Sequence, residues 1–157
     1  MVFLSILNQV KKNVSKIIEE KGYDRVGFVV EPSKGGFGDI TCNVAFLLAK
    51  SLKKSPQEIA QEFAGAYDTS QSKELNKVEA HQSGYLNFFL DANSFNKAVL
   101  LESQKENYGS IDIGKNSKVI VEHTSVNPNK ALHIGHLRNV TIGDAISRIL
   151  SKVNYDV

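Results

Sequence analysis

The chain has 157 residues, 41% hydrophobic and 23% charged, a composition that builds a packed core and excludes a disordered polypeptide. Its 19 Lys and Arg against 17 Asp and Glu leave a net charge of +2, too even to demand a nucleic-acid partner or to exclude one. The single cysteine, Cys42, rules out an internal disulfide and a paired-cysteine zinc site, and the longest apolar run, Val44 to Ala49, falls far short of the ~20 residues of a membrane span.

The N-terminal residues Met1-Val2-Phe3-Leu4-Ser5 carry neither a basic n-region nor a small-residue cleavage site, so the expectation is a cytoplasmic protein. From Phe3 to Lys21 the residues Phe3, Ile6, Leu7, Val10, Val14, Ile17 and Ile18 recur every three or four positions. That spacing predicts an amphipathic helix, with Gly22 placed to end it. Val26 to Val30 reads as a short buried strand, and Glu31 to Gly38 as a mobile loop. Asp39 is placed to cap the next helix, which turns Val44, Leu47, Leu48 and Leu52 inward. Ser55-Pro56-Gln57-Glu58 is a capping box with proline at the first helical position. The helix it opens packs Ile59, Phe63 and Ala66.

Leu75 to His81 and Tyr85 to Leu90 read as a hairpin across Gln82-Ser83-Gly84. Alternation puts Leu86, Phe88 and Leu90 on one purely apolar face, which belongs to the core. The opposite face, with Tyr85, Asn87 and Phe89, offers a ring and an amide to solvent or to a ligand. Ser94 to Glu106 is a further helix with Phe95, Val99 and Leu100 as its stripe, and the polar, glycine-bearing stretch after it is the candidate boundary. Lys118 to Glu122 then has a continuous apolar centre, the pattern of a strand buried on both faces of a parallel sheet. A polar loop leads to a helix from about Gly135 to Lys152, bearing Leu137, Ile142, Ala145, Ile149 and Leu150, and Tyr155 to Val157 begins another strand. One strand and one helix do not close an α/β layer, so residues 117–157 read as the opening of a larger domain.

The chemistry concentrates at His133-Ile134-Gly135-His136, where a loop after a strand feeds a helix. A helix N-terminus presents unpaired N–H groups and partial positive charge, which favour phosphate. Two histidines three residues apart add donors, and Gly135 lets a flat ring or phosphate approach the backbone. An anion or nucleotide site follows at the carboxyl end of the strand. The same four residues also fit a chance match, ordinary capping, or a zinc pair whose other ligands would have to come from His81, His123 or Cys42.

The neighbours of the tetrapeptide add to this. From Val121-Glu122 through Ser125, Asn127, Pro128, Lys130 and Leu132 to Arg138 and Gly143-Asp144, the stretch resembles the signature of arginyl-tRNA synthetases, class I enzymes with a HIGH motif. Gly38-Asp39, Asn43-Val44-Ala45-Phe46 and Leu48-Ala49-Lys50 resemble that family's N-terminal domain, and Gly84-Tyr85-Leu86-Asn87-Phe88 resembles a strand of it. The resemblance implies an α+β tRNA-binding domain over residues 1–108, a linker over 109–116, and the first β-α unit of a Rossmann-type catalytic domain over 117–157.

It also implies roles. His133, Gly135 and His136 hold ATP, with His133, His136 and Lys130 serving the adenylation step. Glu122 and Asn127 receive arginine, a pairing that suits carboxylate with guanidinium. Tyr85, Asn87 and Gln82 contact tRNA, by stacking on and bonding to a splayed base. Lys34, Lys53 and Lys54 are further candidates for phosphate. The implied partners are tRNA(Arg), L-arginine and ATP, the last with magnesium, with no resident metal, no prosthetic group and no membrane, in a monomeric whole enzyme. One departure stands out: Ser125-Val126-Asn127-Pro128 replaces the family's Ser-Pro-Asn, so Asn127 precedes proline and is biased to extended backbone. No KMSKS-like lysine loop and no helical anticodon-binding domain are present, so the chain alone is expected not to aminoacylate. The alternative is a freestanding tRNA-binding or synthetase-regulating module without catalysis.

Overall fold

The three-to-four spacing at the N-terminus folds as helix α1, Val2–Glu20, in the computed structural model, which describes residues 2–157. Ile6, Val10, Val14, Ile17 and Ile18 form its buried stripe. Gly22, at φ +67°, ends it. The Tyr23 N–H reaches the Ile18 carbonyl at 3.0 Å and the Gly22 N–H the Glu19 carbonyl at 3.0 Å, a left-handed cap of the Schellman kind.

Next come β1 (Val30–Pro32), β2 (Ile40–Cys42), α2 (Val44–Leu52), α3 (Pro56–Ala66), a single 3₁₀ turn at Thr69–Gln71, β3 (Leu75–Ala80), β4 (Leu86–Leu90) and α4 (Ala92–Ser103). The four strands form one antiparallel sheet in the order β1-β2-β4-β3, with Ile40 opposite Phe88, Thr41 opposite Asn87 and Cys42 opposite Leu86. One face of it, through Ile40, Cys42, Leu86 and Phe88, joins the stripe of α1 with Val44, Leu48, Ile59 and Phe63 in a single core. Each fully buried side chain of this kind contributes about 1.5–3 kcal/mol.

Several expectations are corrected here. Val26 to Val29 is not strand, because β2 offers only three residues to pair and the ladder starts at Val30; the Phe28 N–H instead turns back to the Val26 carbonyl. Asp39 caps no helix. It precedes β2, a strand the sequence reading missed, and its Oδ2 accepts from the Leu90 N–H at 2.8 Å. Asn43 stands at the N-cap of α2 without a side-chain cap bond, since its Oδ1 is taken by the Val29 N–H. Leu47, Ala66 and Leu100 face solvent, because α2 and α3 bury a narrower stripe than their apolar content offered and α4 only partly buries Phe95 against the core. The capping box is as expected. Ser55 Oγ accepts from the Glu58 N–H, Glu58 Oε2 accepts from the Ser55 N–H, and Pro56 is the first helical residue.

The chain divides into two compact units, one running to Gln104 and one from Lys105 to Val157. The second contains α5, Ile134–Lys152. Residues 109–116 are stitched within this unit: the Ile113 and Gly114 N–H groups bond to the Val153 carbonyl and the Asn116 N–H to that of Asn154. The expected strand at Lys118 to Glu122 reduces to one parallel bridge, Lys118 to Asp156, and Ile120 is 95% exposed. A strand exists only where a ladder partner lies beside it, and the described residues supply a single bridge. Parallel pairing across an intervening helix is nevertheless the connectivity of a β-α-β unit. The apolar positions of α5, among them Leu137, Ile142 and Ile149, face solvent; only Gly143 is buried.

Candidate nucleic-acid interface and nucleotide site

In the first unit, the sheet face turned away from the core holds a groove of about 320 Å³. Residues directly opposite in an antiparallel ladder share a face. The register therefore lines up Glu31, Thr41 and Asn87 across β1, β2 and β4. Tyr85, just before β4, stands at the groove's edge with its ring edge-on to Phe46 at 4.8 Å. The hairpin closes by the His81 N–H to the Tyr85 carbonyl at 2.8 Å in one direction, and the Tyr85 side chain is left 40% exposed. The reverse holds for Asn87. It is 5% exposed and forms part of the groove lining, with its Oδ1 accepting from Thr41 Oγ1 at 3.1 Å.

Across the groove lies the glycine-rich segment Lys34-Gly-Gly-Phe-Gly38. Gly35, Gly36 and Gly38 all take positive φ, a path that presents the Phe37 ring outward and edge-on to His81 at 4.9 Å. Gly38 also fits against the sheet, since a Cβ there would stand 3.0 Å from the Phe88 carbonyl. Tyr85 and Asn87 are thus brought together in one groove. Gln82, exposed in the turn, is not among its lining residues. Thr41, Phe37 and His81 line it and were not read as part of this face from the sequence; a lone aromatic between glycines was the signal for Phe37, whereas Thr41 needed β2. Of the three candidate lysines, Lys34 lines the groove, Lys54 is ion-paired to Glu62, and Lys53 sits exposed at the left-handed end of α2.

In the second unit, His133 is the N-cap of α5. Its Nδ1 accepts from the Gly135 N–H at 3.1 Å, and His136 Nδ1 accepts from the His133 N–H at 3.1 Å. The two rings stack at 3.9 Å. A nitrogen that accepts carries no proton, so in each neutral ring the hydrogen sits on Nε2. Backbone capping thereby makes both rings Nε2–H donors at a helix N-terminus, where the free N–H groups already favour an anion. Gly135 is closely fitted: a Cβ would come 2.8 Å from His133 Cε1.

The loop before it is tightly folded. Asn127 Oδ1 accepts from the Asn129 N–H at 3.0 Å and its carbonyl from the Lys130 N–H at 3.1 Å, while the amide NH₂ of this exposed residue bonds no protein group among the described residues. Thr124 and Ser125 hold φ of +76° and +44°, a left-handed pair uncommon outside glycine. His123, just before them, packs on Gly143, where any Cβ would overlap its side chain. Glu122 and Lys130 are exposed and make no ion pair among the described residues.

Two family models match the chain: arginyl tRNA synthetase N terminal domain over residues 5–90, and tRNA synthetases class I (R), catalytic domain, over 97–157. Among curated relatives, the arginine–tRNA ligase of Thermococcus sibiricus is 43% identical over 151 residues, covering 94% of this chain and 23% of the relative. That of Pyrococcus furiosus is also 43% identical, over 158 residues, covering 98% and 25%. The chain thus spans about a quarter of the length of these relatives. The solved arginyl-tRNA synthetase of Thermus thermophilus superposes with a TM-score of 0.57 at 35% identity, over 96% of this chain and 24% of that one. The Plasmodium falciparum enzyme has the same fold, with a TM-score of 0.70 at 22% identity over 96% and 29%. These matches bear out the resemblance read from the motifs, and the α+β domain followed by the start of a class I catalytic domain.

Proposed function

The chain belongs to the arginyl-tRNA synthetase family, and we propose that it forms the tRNA-engaging and first nucleotide-binding part of an arginine–tRNA ligase. In this reading the protein acts in the cytoplasm. The carboxylate of L-arginine attacks the α-phosphorus of ATP, the bond to the bridging oxygen breaks, and pyrophosphate leaves. The arginyl group then passes to a terminal ribose hydroxyl of tRNA(Arg), releasing AMP.

The assignments follow the chemistry of each residue. His133 and His136 donate through Nε2–H to phosphoryl oxygens, and Gly135, lacking a side chain, lets the His133 ring cap the helix beside the nucleotide. Lys130 neutralises phosphate charge. Glu122 takes the guanidinium, and the unbonded amide NH₂ of Asn127 orients the substrate's carboxylate. Such a site works by positioning and by charge stabilisation. Among the described residues no group of three His, Cys, Asp or Glu converges on a metal-sized position, so magnesium would be held chiefly by the nucleotide's own phosphates. Residues up to about 108 are assigned to tRNA binding and those from 117 to the catalytic domain, with 109–116 between.

The observation that carries the tRNA reading is the groove itself, where an exposed tyrosine ring and a buried amide share the open face of a sheet. Bases stack on such rings and are read through such amides. In filter binding with tRNA, Tyr85→Ala and Asn87→Ala are expected to weaken binding more than Lys53→Ala. Equal small losses for all three would remove the hairpin from the interface. Pyrophosphate exchange with this chain alone is expected to show no arginine-dependent turnover, and robust turnover would overturn the view that further domains are needed.

A further inference from the structure

Asn87 is the polar side chain of the groove that is more than nine-tenths buried. Its Oδ1 is engaged by the Thr41 hydroxyl, while its Nδ2 has no protein partner among the described residues. That nitrogen is not sealed in, since no enclosed side-chain nitrogen or oxygen lacks a bond. The amide NH₂ therefore opens on the groove. Thr41 and Asn87 face each other across β2 and β4, so the hydroxyl is delivered to the amide by sheet register and not by a flexible loop.

An amide with no partner would turn freely in the groove, and binding would bear the cost of ordering it. We propose that Thr41 is a positioning residue for base capture: its bond to Asn87 Oδ1 pins the amide in place beside the Tyr85 ring, with the NH₂ left to the groove. The groove then takes an unstacked base by an edge that carries a hydrogen-bond acceptor. This role rests on the tRNA reading above and adds to it a residue that acts by holding another side chain.

The test is filter binding of tRNA to the full chain, with substitutions at Thr41 in two backgrounds. Thr41→Val, which keeps the shape and removes the hydroxyl, is expected to raise Kd about fivefold, the worth of one hydrogen bond. Thr41→Ala should match it, and Thr41→Ser should restore wild-type binding. In the Asn87→Ala background Thr41→Val should cost nothing more. A purely structural role would instead give the same loss in both backgrounds, and that result, or wild-type binding by Thr41→Val, overturns the proposal. Tyr85→Ala separates the two levels. If it leaves Kd unchanged, the groove is not the RNA site; if it weakens binding while Thr41→Val is silent, the role of Thr41 alone falls.

Discussion

Gly84, the last residue of the hairpin turn, lies directly against Pro56, the first residue of α3: a Cβ on Gly84 would overlap Pro56 Cβ and stand 3.2 Å from its carbonyl carbon. With φ at +97°, the position excludes a side chain on two separate grounds, conformation and space. The contact locks the turn that presents Tyr85 onto the capped start of a core helix. Gly84→Ala is accordingly expected to destabilise the first unit by about 1–3 kcal/mol. Urea denaturation followed by circular dichroism reads this directly, and an unchanged midpoint would show that the turn shifts freely.

At the same junction, Ser55 and Glu58 satisfy each other's backbone N–H groups. Removing the hydroxyl with Ser55→Ala should cost about 1 kcal/mol, the usual worth of an N-cap. Thermal melts of the variant and of Ser55→Asp, which still caps, provide the comparison; the Asp variant is expected to stay near wild type.

Glu62 accepts from the Tyr23 hydroxyl at 2.6 Å and pairs with Lys21 at 2.9 Å and Lys54 at 3.0 Å. The Tyr23 bond first, then those from the two lysines, hold its carboxyl down at about 2, against an ordinary 4.5. A depressed carboxylate contributes stability that is full above pH 4.5 and is lost as pH falls through about 2. Glu62→Gln should therefore melt lower than wild type at pH 7 and show a flatter decline between pH 4.5 and 2. Melting temperature against pH for the two proteins decides it: parallel curves would mean that the Tyr23 bond and lysine pairs contribute nothing.

Gly135 allows opposite signs to be read from one substitution. Its φ is not positive, so Gly135→Ala raises helix propensity by up to about 1 kcal/mol. The new Cβ would press the His133 ring off the Gly135 N–H and disturb the Nε2–H donors. We expect unchanged or improved thermal stability, with arginine-dependent pyrophosphate exchange in the whole enzyme falling at least about tenfold. A variant that keeps full exchange would detach the histidine cap from catalysis.

The candidate sites differed in how far they were legible. His133 to His136 was readable because a cap and its helix are contiguous in sequence, and the reciprocal bonds between the two histidines need no distant partner. The Tyr85 and Asn87 face was readable from alternation, yet the burial of Asn87 was not, since Asn87 lies between Thr41 of β2 and Glu79 of β3, its partners on the two adjoining strands. Cys42 offered a thiol in sequence. In the fold, burial pushes it up to about 12, which removes it from nucleophilic chemistry near neutral pH.

What the sequence determined by itself is what local rules encode: the stripe of α1 and its Gly22 stop, the Ser55 capping box, the hairpin turn, and a helix that starts at the histidine pair. Each rests on bonds between residues a few positions apart. The tertiary structure alone decided β2, the duty of Asp39 at Leu90, the shortening of Val26 to Val30 to one strand residue, and the groove that joins Thr41, Phe37, His81 and Asn87. Strands and grooves exist only through partners distant in the chain. A ladder bond or a shared face therefore cannot be read until the register that delivers the partner is known.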